Sequence, residues 1–187
     1  MTLHINFELS QSDLDHFCAV MRRARENVKH KSRQQIIDSA EQLLAQVNRS
    51  DATDFIRDRM SQLELLIAML EDSGWGLIED DRERVLAAMS YFSEPEDLIP
   101  DDVPGIGFID DAIMIEIVCK ELEHELQAYR DFVAFRAGRK NRTGEEGAEL
   151  QRSDWLEERR QQLHSRMRRR RKGRTSANKT KSPFSLL

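Results

Sequence analysis

The chain has few of the residues that interrupt or cross-link regular structure. Its 187 residues include four prolines and eight glycines, and the two cysteines, Cys18 and Cys119, lack the spacing of a metal or redox pair. No apolar run approaches the roughly 18 residues that a membrane span needs. Residues 1–7 also lack the basic start and apolar stretch of a signal peptide. We therefore expect a cytoplasmic protein without disulfides.

Patterns typical of β-strands are missing as well. Apolar residues recur at steps of three and four along nearly the whole chain. This pattern predicts an all-α fold: a bundle of about five helices with a proline- and glycine-shaped turn before a long fifth helix, then a basic C-terminal helix and a disordered tail. By region, we predict a helical domain over residues 1–138, a linker over 139–149, a charged helix over 150–172 and a disordered basic tail over 173–187.

Charge is unevenly distributed along the chain. Residues 152–187 contain twelve Lys or Arg and three acids, a net +9, whereas the whole chain carries −5, which leaves −14 for residues 1–151. Such a basic segment can bind polyanions through phosphate contacts that tolerate any sequence and weaken steeply with salt. We expect RNA, DNA or the ribosome as partners. The polyanion-binding candidates are Arg166, Arg168, Arg169, Arg170, Arg171, Lys172, Arg174, Lys179 and Lys181.

Two other interpretations of the basic segment stay open. Trp155, Leu156, Leu163 and Met167 give the helix a narrow apolar edge, which permits association with an anionic membrane surface or with a partner protein. The basic segment can also fold back on the acidic body until a polyanion displaces it.

Residues 94–111 form the second unusual segment. They hold three of the four prolines, two glycines and five aspartates. Proline fixes φ, and glycine adopts backbone conformations that other residues avoid. The composition therefore predicts a shaped turn between two helices, the second of which begins at Asp110 or Asp111 and finishes near Gly138.

The turn carries three sequence elements in order: Asp-Leu-Ile-Pro-Asp at residues 97–101, Pro-x-x-Gly at 104–107 and Asp-Asp at 110–111. Over roughly residues 85–125 this arrangement resembles the YkvA-like family, small bacterial proteins built around a domain of unknown function. The motif positions are Asp97, Pro100, Asp101, Pro104, Gly107, Asp110 and Asp111. The chain departs from the family pattern in being more polar at four positions, which argues against membrane insertion. These positions are Asp102, Glu116, Lys120 and Glu121.

Three interpretations fit the aspartates of the turn, one of which is a surface that binds a partner. In the one we prefer, Ser93, Asp110 and Asp111 cap helix starts, while Asp97 and Asp101 accept hydrogen bonds from backbone N–H groups. In the alternative, Asp97, Asp101, Asp110 and Asp111 bind Mg²⁺ or Ca²⁺, and the protein is a divalent-metal-dependent enzyme acting on a phosphate-containing substrate. The spacing of a calcium-binding loop is absent.

The sequence contains no recognisable catalytic constellation. No serine lies in a nucleophile elbow, and neither cysteine has an evident base. Glu121 and His124 form one Glu-x-x-His pair, whereas carboxylate-bridged metal centres in helical bundles need two. We therefore expect a scaffold or interaction protein without a cofactor, tethered to nucleic acid or the ribosome by its basic tail.

Overall fold

The computed structural model describes residues 8–27, 31–93, 99, 103, 107–140 and 149–177. Within these residues the chain forms seven α-helices and no strand, so the predicted all-α fold is confirmed. The helices are α1 (Gln11–Asn27), α2 (Arg33–Arg49), α3 (Asp54–Glu71), α4 (Glu79–Met89), α5 (Ile109–Glu121), α6 (Glu123–Lys140) and α7 (Glu149–Ala177), with a short 3₁₀ turn at Ser90–Ser93. No helix of the described residues has the length and apolar character needed to cross a membrane.

Local sequence explains where several helices begin. The Ser32 hydroxyl accepts a hydrogen bond from the Gln35 backbone N–H, and the Gln35 side chain accepts one from Ser32 in return, which forms a capping box for α2. Thr53 caps α3 with a single hydrogen bond, which its hydroxyl accepts from the backbone N–H of Ile56. The first turn of α4 is acidic, which suits the positive end of the helix dipole.

The centre of the fold is the contact between α3 and α5. Helix α3 packs against both α2 and α5. Helix α5 is buried on nearly all sides, as expected for a helix without a polar face. Its buried residues are Asp110, Asp111, Ala112, Ile113, Met114, Ile115, Ile117 and Val118.

The predicted long fifth helix is two helices, α5 and α6. They meet at Leu122, whose φ of −97° and ψ of 21° leave the helical range. Hydrogen bonds from Leu122 N to Val118 O and from Leu126 N to Leu122 O, both 2.9 Å long, continue across this position. The junction is therefore a bend rather than a loop. The two helices have different main partners, because α5 packs on α3 and α6 packs chiefly on α7.

The C-terminal helix extends further than the sequence indicated. We predicted disorder from residue 173, yet α7 continues through Ala177. Glycine at 173 disfavours helix by about 1 kcal/mol relative to alanine, but basic residues near the end of a helix interact favourably with its dipole. Residues 139 and 140 of the predicted linker belong to α6. The rest of the predicted tail, residues 178–187, lies outside the described residues.

Candidate functional site

The basic helix α7 presents different residues to the body and to solvent. Leu163 and Met167 are buried, and Arg171 follows on the same side, because residues four apart share a face of an α-helix. We call this side the inner face. Exposed cations occupy the opposite side and its edges. We call them the outer basic face, and they are Arg166, Arg169, Arg170 and Lys172.

Arg171 lies against two buried carboxylates on other helices. Its Nη1 atom is 2.6 Å from Oδ1 of Asp81 on α4 and 3.2 Å from Oε1 of Glu125 on α6. Asp81 is 0% exposed and Glu125 is 1% exposed. We call these two carboxylates the acidic notch. Burial disfavours the charged form of Arg171, but hydrogen bonding and attraction to Asp81 and Glu125 outweigh it and raise the pKa of the guanidinium.

Two further arginines neutralise the acidic notch. Arg84 on α4 donates from Nη2 to Glu121 at 3.0 Å, and its Nε lies 3.3 Å from Glu125 Oε1. Arg168 on α7 places Nη1 3.6 Å from Oδ2 of Asp81. The notch is therefore matched by cations from the body and from α7. A buried carboxylate requires such compensation, since charge without a partner is costly in the protein interior.

The inner face of α7 also contains a buried histidine. The ring of His164 stacks on Trp75 with centroids 4.1 Å apart, and its Nε2 lies 3.2 Å from the Trp75 carbonyl oxygen. Burial lowers the pKa of His164 below its ordinary value of 6.5, and the nearby Arg168 and Arg160 act in the same direction. The Trp75 carbonyl and Asp81 oppose this shift without reversing it.

Asp72 at the end of α3 positions Trp75. Its Oδ1 accepts hydrogen bonds from the backbone N–H of Gly74 at 2.9 Å and of Trp75 at 3.2 Å. Its Oδ2 lies 2.7 Å from Nη2 of Arg136 and accepts from the Tyr129 hydroxyl at 3.2 Å. Burial and the neighbouring Asp72 raise the pKa of Tyr129 to about 12. Trp75, on which His164 of α7 stacks, is thus held in position by Asp72 and by the polar contacts that α6 makes with Asp72.

In the family turn, Asp110 has a structural role. Its Oδ2 accepts a hydrogen bond from the buried Tyr91 hydroxyl at 3.3 Å and another from the Ile99 backbone N–H at 3.1 Å. The capping interpretation is wrong in detail. Phe108 occupies the N-cap position of α5 with a left-handed φ of 66°, without a side-chain cap, and Asp110 and Asp111 follow in the first helical turn.

The structure describes part of the proposed metal site. Asp110 and Asp111 are buried side by side in α5, whereas Asp97 and Asp101 lie outside the described residues, as do Pro100 and Pro104 of the motif. Gly107 is buried just before α5. Among the residues that the structure describes, no group of three or more His, Cys, Asp or Glu side chains is arranged to hold a metal ion.

The predicted Glu121 and His124 pair separates into two environments. Glu121 bonds to Arg84, whereas His124 lines a groove of about 580 Å³ between α6 and α7. Arg166 and Arg170 line the same groove together with two acids and a glutamine, so its charge is mixed.

The six predicted polyanion-binding residues whose side chains the structure describes do not lie on one surface. Arg168 and Arg171 turn toward the acidic notch, while the four residues of the outer basic face remain exposed. Arg166 also has a long contact with Asp131, at 3.9 Å. The side chain of Arg174 lies outside the described residues, as do Lys179 and Lys181.

Sequence reasoning missed the acidic notch, although a signal was present. Asp81 precedes Val85 and Met89 by four and eight residues, so it lies on the buried stripe of α4. Glu125 occupies an equivalent position between Leu122 and Tyr129, both of which are buried. An acid at an apolar-stripe position predicts a buried partner of opposite charge.

Comparison with known proteins matches one segment of the chain to a known family. Residues 84–117 match the family described as a protein of unknown function (DUF1232), which spans part of α4, the turn and most of α5. No curated protein and no solved structure matched the chain. This match at residues 84–117 is consistent with the YkvA-like resemblance of the turn.

Proposed function

We propose that this is a non-enzymatic cytoplasmic protein that binds nucleic acid, free or in the ribosome, through the outer basic face of α7. The observation that supports this proposal is the exposure of Arg166, Arg169, Arg170 and Lys172 on a helix whose inner face is packed on the body. The body would act as the scaffold that carries this cationic helix.

Repulsion among neighbouring cations gives the outer basic face its affinity for polyanions. Arg169, Arg170 and Lys172 lie within one turn of α7 and are all exposed. Phosphates relieve this repulsion, and each phosphate contact releases condensed counterions. The logarithm of the affinity for duplex DNA then falls by about 0.9 per contact for each unit of log salt concentration. Such contacts do not read the base sequence.

A triple variant tests the proposal. Arg169→Ala, Arg170→Ala and Lys172→Ala together should weaken binding to poly(U) RNA and to mixed-sequence duplex DNA, and should reduce the salt slope on duplex by up to about 2.7. Fluorescence anisotropy over a salt series measures both quantities.

The matched control removes three exposed arginines far from α7 in sequence: Arg22→Ala, Arg23→Ala and Arg49→Ala. Net charge changes equally in both variants. If the control loses as much affinity as the α7 variant, binding reflects overall charge and the assignment to α7 is wrong. If the parent protein binds neither nucleic acid at low salt, the proposed function is wrong.

A further inference from the structure

We propose that the acidic notch is an internal competitor of nucleic acid: it holds Arg171 and Arg168 of α7, and nucleic acid gains both arginines when it displaces them. The inference rests on the proposed function and adds its regulation. Nucleic acid affinity would then be set by the body of the protein as well as by the basic helix.

The position of the notch supports competition. Residues 168–171 are four consecutive arginines, of which the first and last turn inward to the notch and the middle two turn outward. Two arginines of this basic run therefore contact the buried carboxylates of the notch, and the other two are exposed to solvent. A phosphate backbone that tracks the run outside the docked helix meets only the outward pair at these four positions.

The composition of the interface supports a helix held by charged contacts as well as by apolar ones. Among the α7 side chains that the structure describes, the buried ones are Leu163, His164 and Met167. The remaining described links to the body include the arginine contacts with Asp81 and Glu125. An external polyanion offers the same type of partner as the notch, so it can replace those contacts, whereas it cannot replace an apolar core.

Release of α7 would leave the notch partly neutralised. Arg84 contacts both Glu121 and Glu125 from within the body, so Glu125 keeps a cation when Arg171 leaves. Asp81 would lose both of its described arginine contacts and become hydrated instead. Linkage requires that the effect be reciprocal: what weakens the notch strengthens nucleic acid binding, and bound nucleic acid weakens the docking of α7.

The first experiment removes the charge of the notch while retaining its shape. Asp81→Asn combined with Glu125→Gln should bind poly(U) RNA and duplex DNA more tightly than the parent protein. Its salt slope on duplex should match that of the parent protein, because Arg168 and Arg171 contact phosphates in both bound complexes.

The control is Asp80→Asn combined with Glu83→Gln, which removes two exposed acids from α4. This control changes net charge equally but leaves Arg171 and Arg168 paired. If it gains as much affinity as the notch variant, the effect is general electrostatics and the inference is wrong. Equal binding by the parent and the notch variant also overturns the inference, but leaves the proposed function intact.

A second experiment leaves the notch unaltered and so does not depend on the folding of the notch variant. The chain contains two tryptophans, and Trp155→Phe leaves Trp75 as the reporter. Trp75 is 0% exposed and stacked on His164, so release of α7 should shift its emission to longer wavelength. We expect this shift on titration with poly(U). Unchanged Trp75 emission at saturating poly(U) overturns the inference, while binding itself still supports the proposed function. If the parent binds no nucleic acid, both proposals fail.

Discussion

The two main helix contacts of this protein bury different chemistry. Helix α5 meets α3 chiefly through apolar side chains, with one partly exposed ion pair between Arg59 and Glu116. Helix α7 meets the body through Leu163 and Met167, through arginines that contact carboxylates of α4 and α6, and through His164, which stacks on Trp75 between α3 and α4. Apolar burial is non-directional and responds little to pH or salt near neutrality. Contacts between charged groups depend on both. The comparison indicates that α5 maintains the fold, and that the packing of α7 on the body responds to pH and salt.

The largest expected effect is at the centre of the apolar contact. Met114→Ala in α5 removes a side chain that is 0% exposed. It should lower the free energy of unfolding by about 2–5 kcal/mol, because the lost transfer free energy and the new cavity add. Urea denaturation measures the change. Ile78→Ala, at a residue that is 47% exposed, is the control and should change stability far less. Similar losses in both variants would contradict the assignment of α5 to the core.

An intermediate effect is expected at the polar contact. Arg171→Met leaves Asp81 and Glu125 without one of their cations, and should weaken the docking of α7 by about 1–3 kcal/mol. The loss is reduced because Arg84 and Arg168 remain and Arg171 is itself 24% exposed. Hydrogen exchange should accelerate in α7 and not in α3 or α5. The control is Arg169→Met, two residues before Arg171 at an exposed position. Faster exchange throughout the protein in the Arg171 variant would show that the two contacts form one cooperative unit.

The smallest effect is a pH dependence confined to α7. Because burial lowers the pKa of His164 below 6.5, the docked state binds fewer protons than the released state. Docking should therefore be fully stable above about pH 6.5 and weaken as the pH falls below that value. The facing charges are Arg160, Arg168 and Asp81. Trp75 emission in the Trp155→Phe chain should report the transition.

His164→Gln should abolish this transition, whereas His16→Gln, at an exposed residue of α1, should preserve it. A transition that survives in the His164 variant would assign the pH dependence to another group. A transition that also appears in α3 or α5 amides would contradict the separation of the two contacts.

Much of the fold could be predicted because helical periodicity is a local property. The apolar steps of α2 and α3 identify both helices and the faces that they bury. The bend at Leu122 could not be predicted in this way, since residues 109–140 contain a glycine only at 138, near the end, and no proline. It lies where the main packing partner changes from α3 to α7, and α3 is distant from α5 in sequence.

The candidate site was predicted less completely for the same reason. Composition identified the basic run of α7, but not which cations face inward. That division depends on Asp81 and Glu125, which lie about 90 and 46 positions from Arg171 in the chain. Their significance appears only when α4, α6 and α7 are brought together.

The bend at Leu122 has a genetic consequence. It joins α5, which packs on α3, to α6, which packs chiefly on α7, and the two form nearly one continuous helix. Substitutions of buried residues before Leu122 should reduce the amount of folded protein in the cell. Substitutions of the notch-facing residue Glu125 should leave abundance closer to normal and alter binding instead. A mutational scan across this one stretch of chain should therefore lower abundance at buried apolar positions of both helices, such as Met114 and Phe132, and alter binding instead at Glu125.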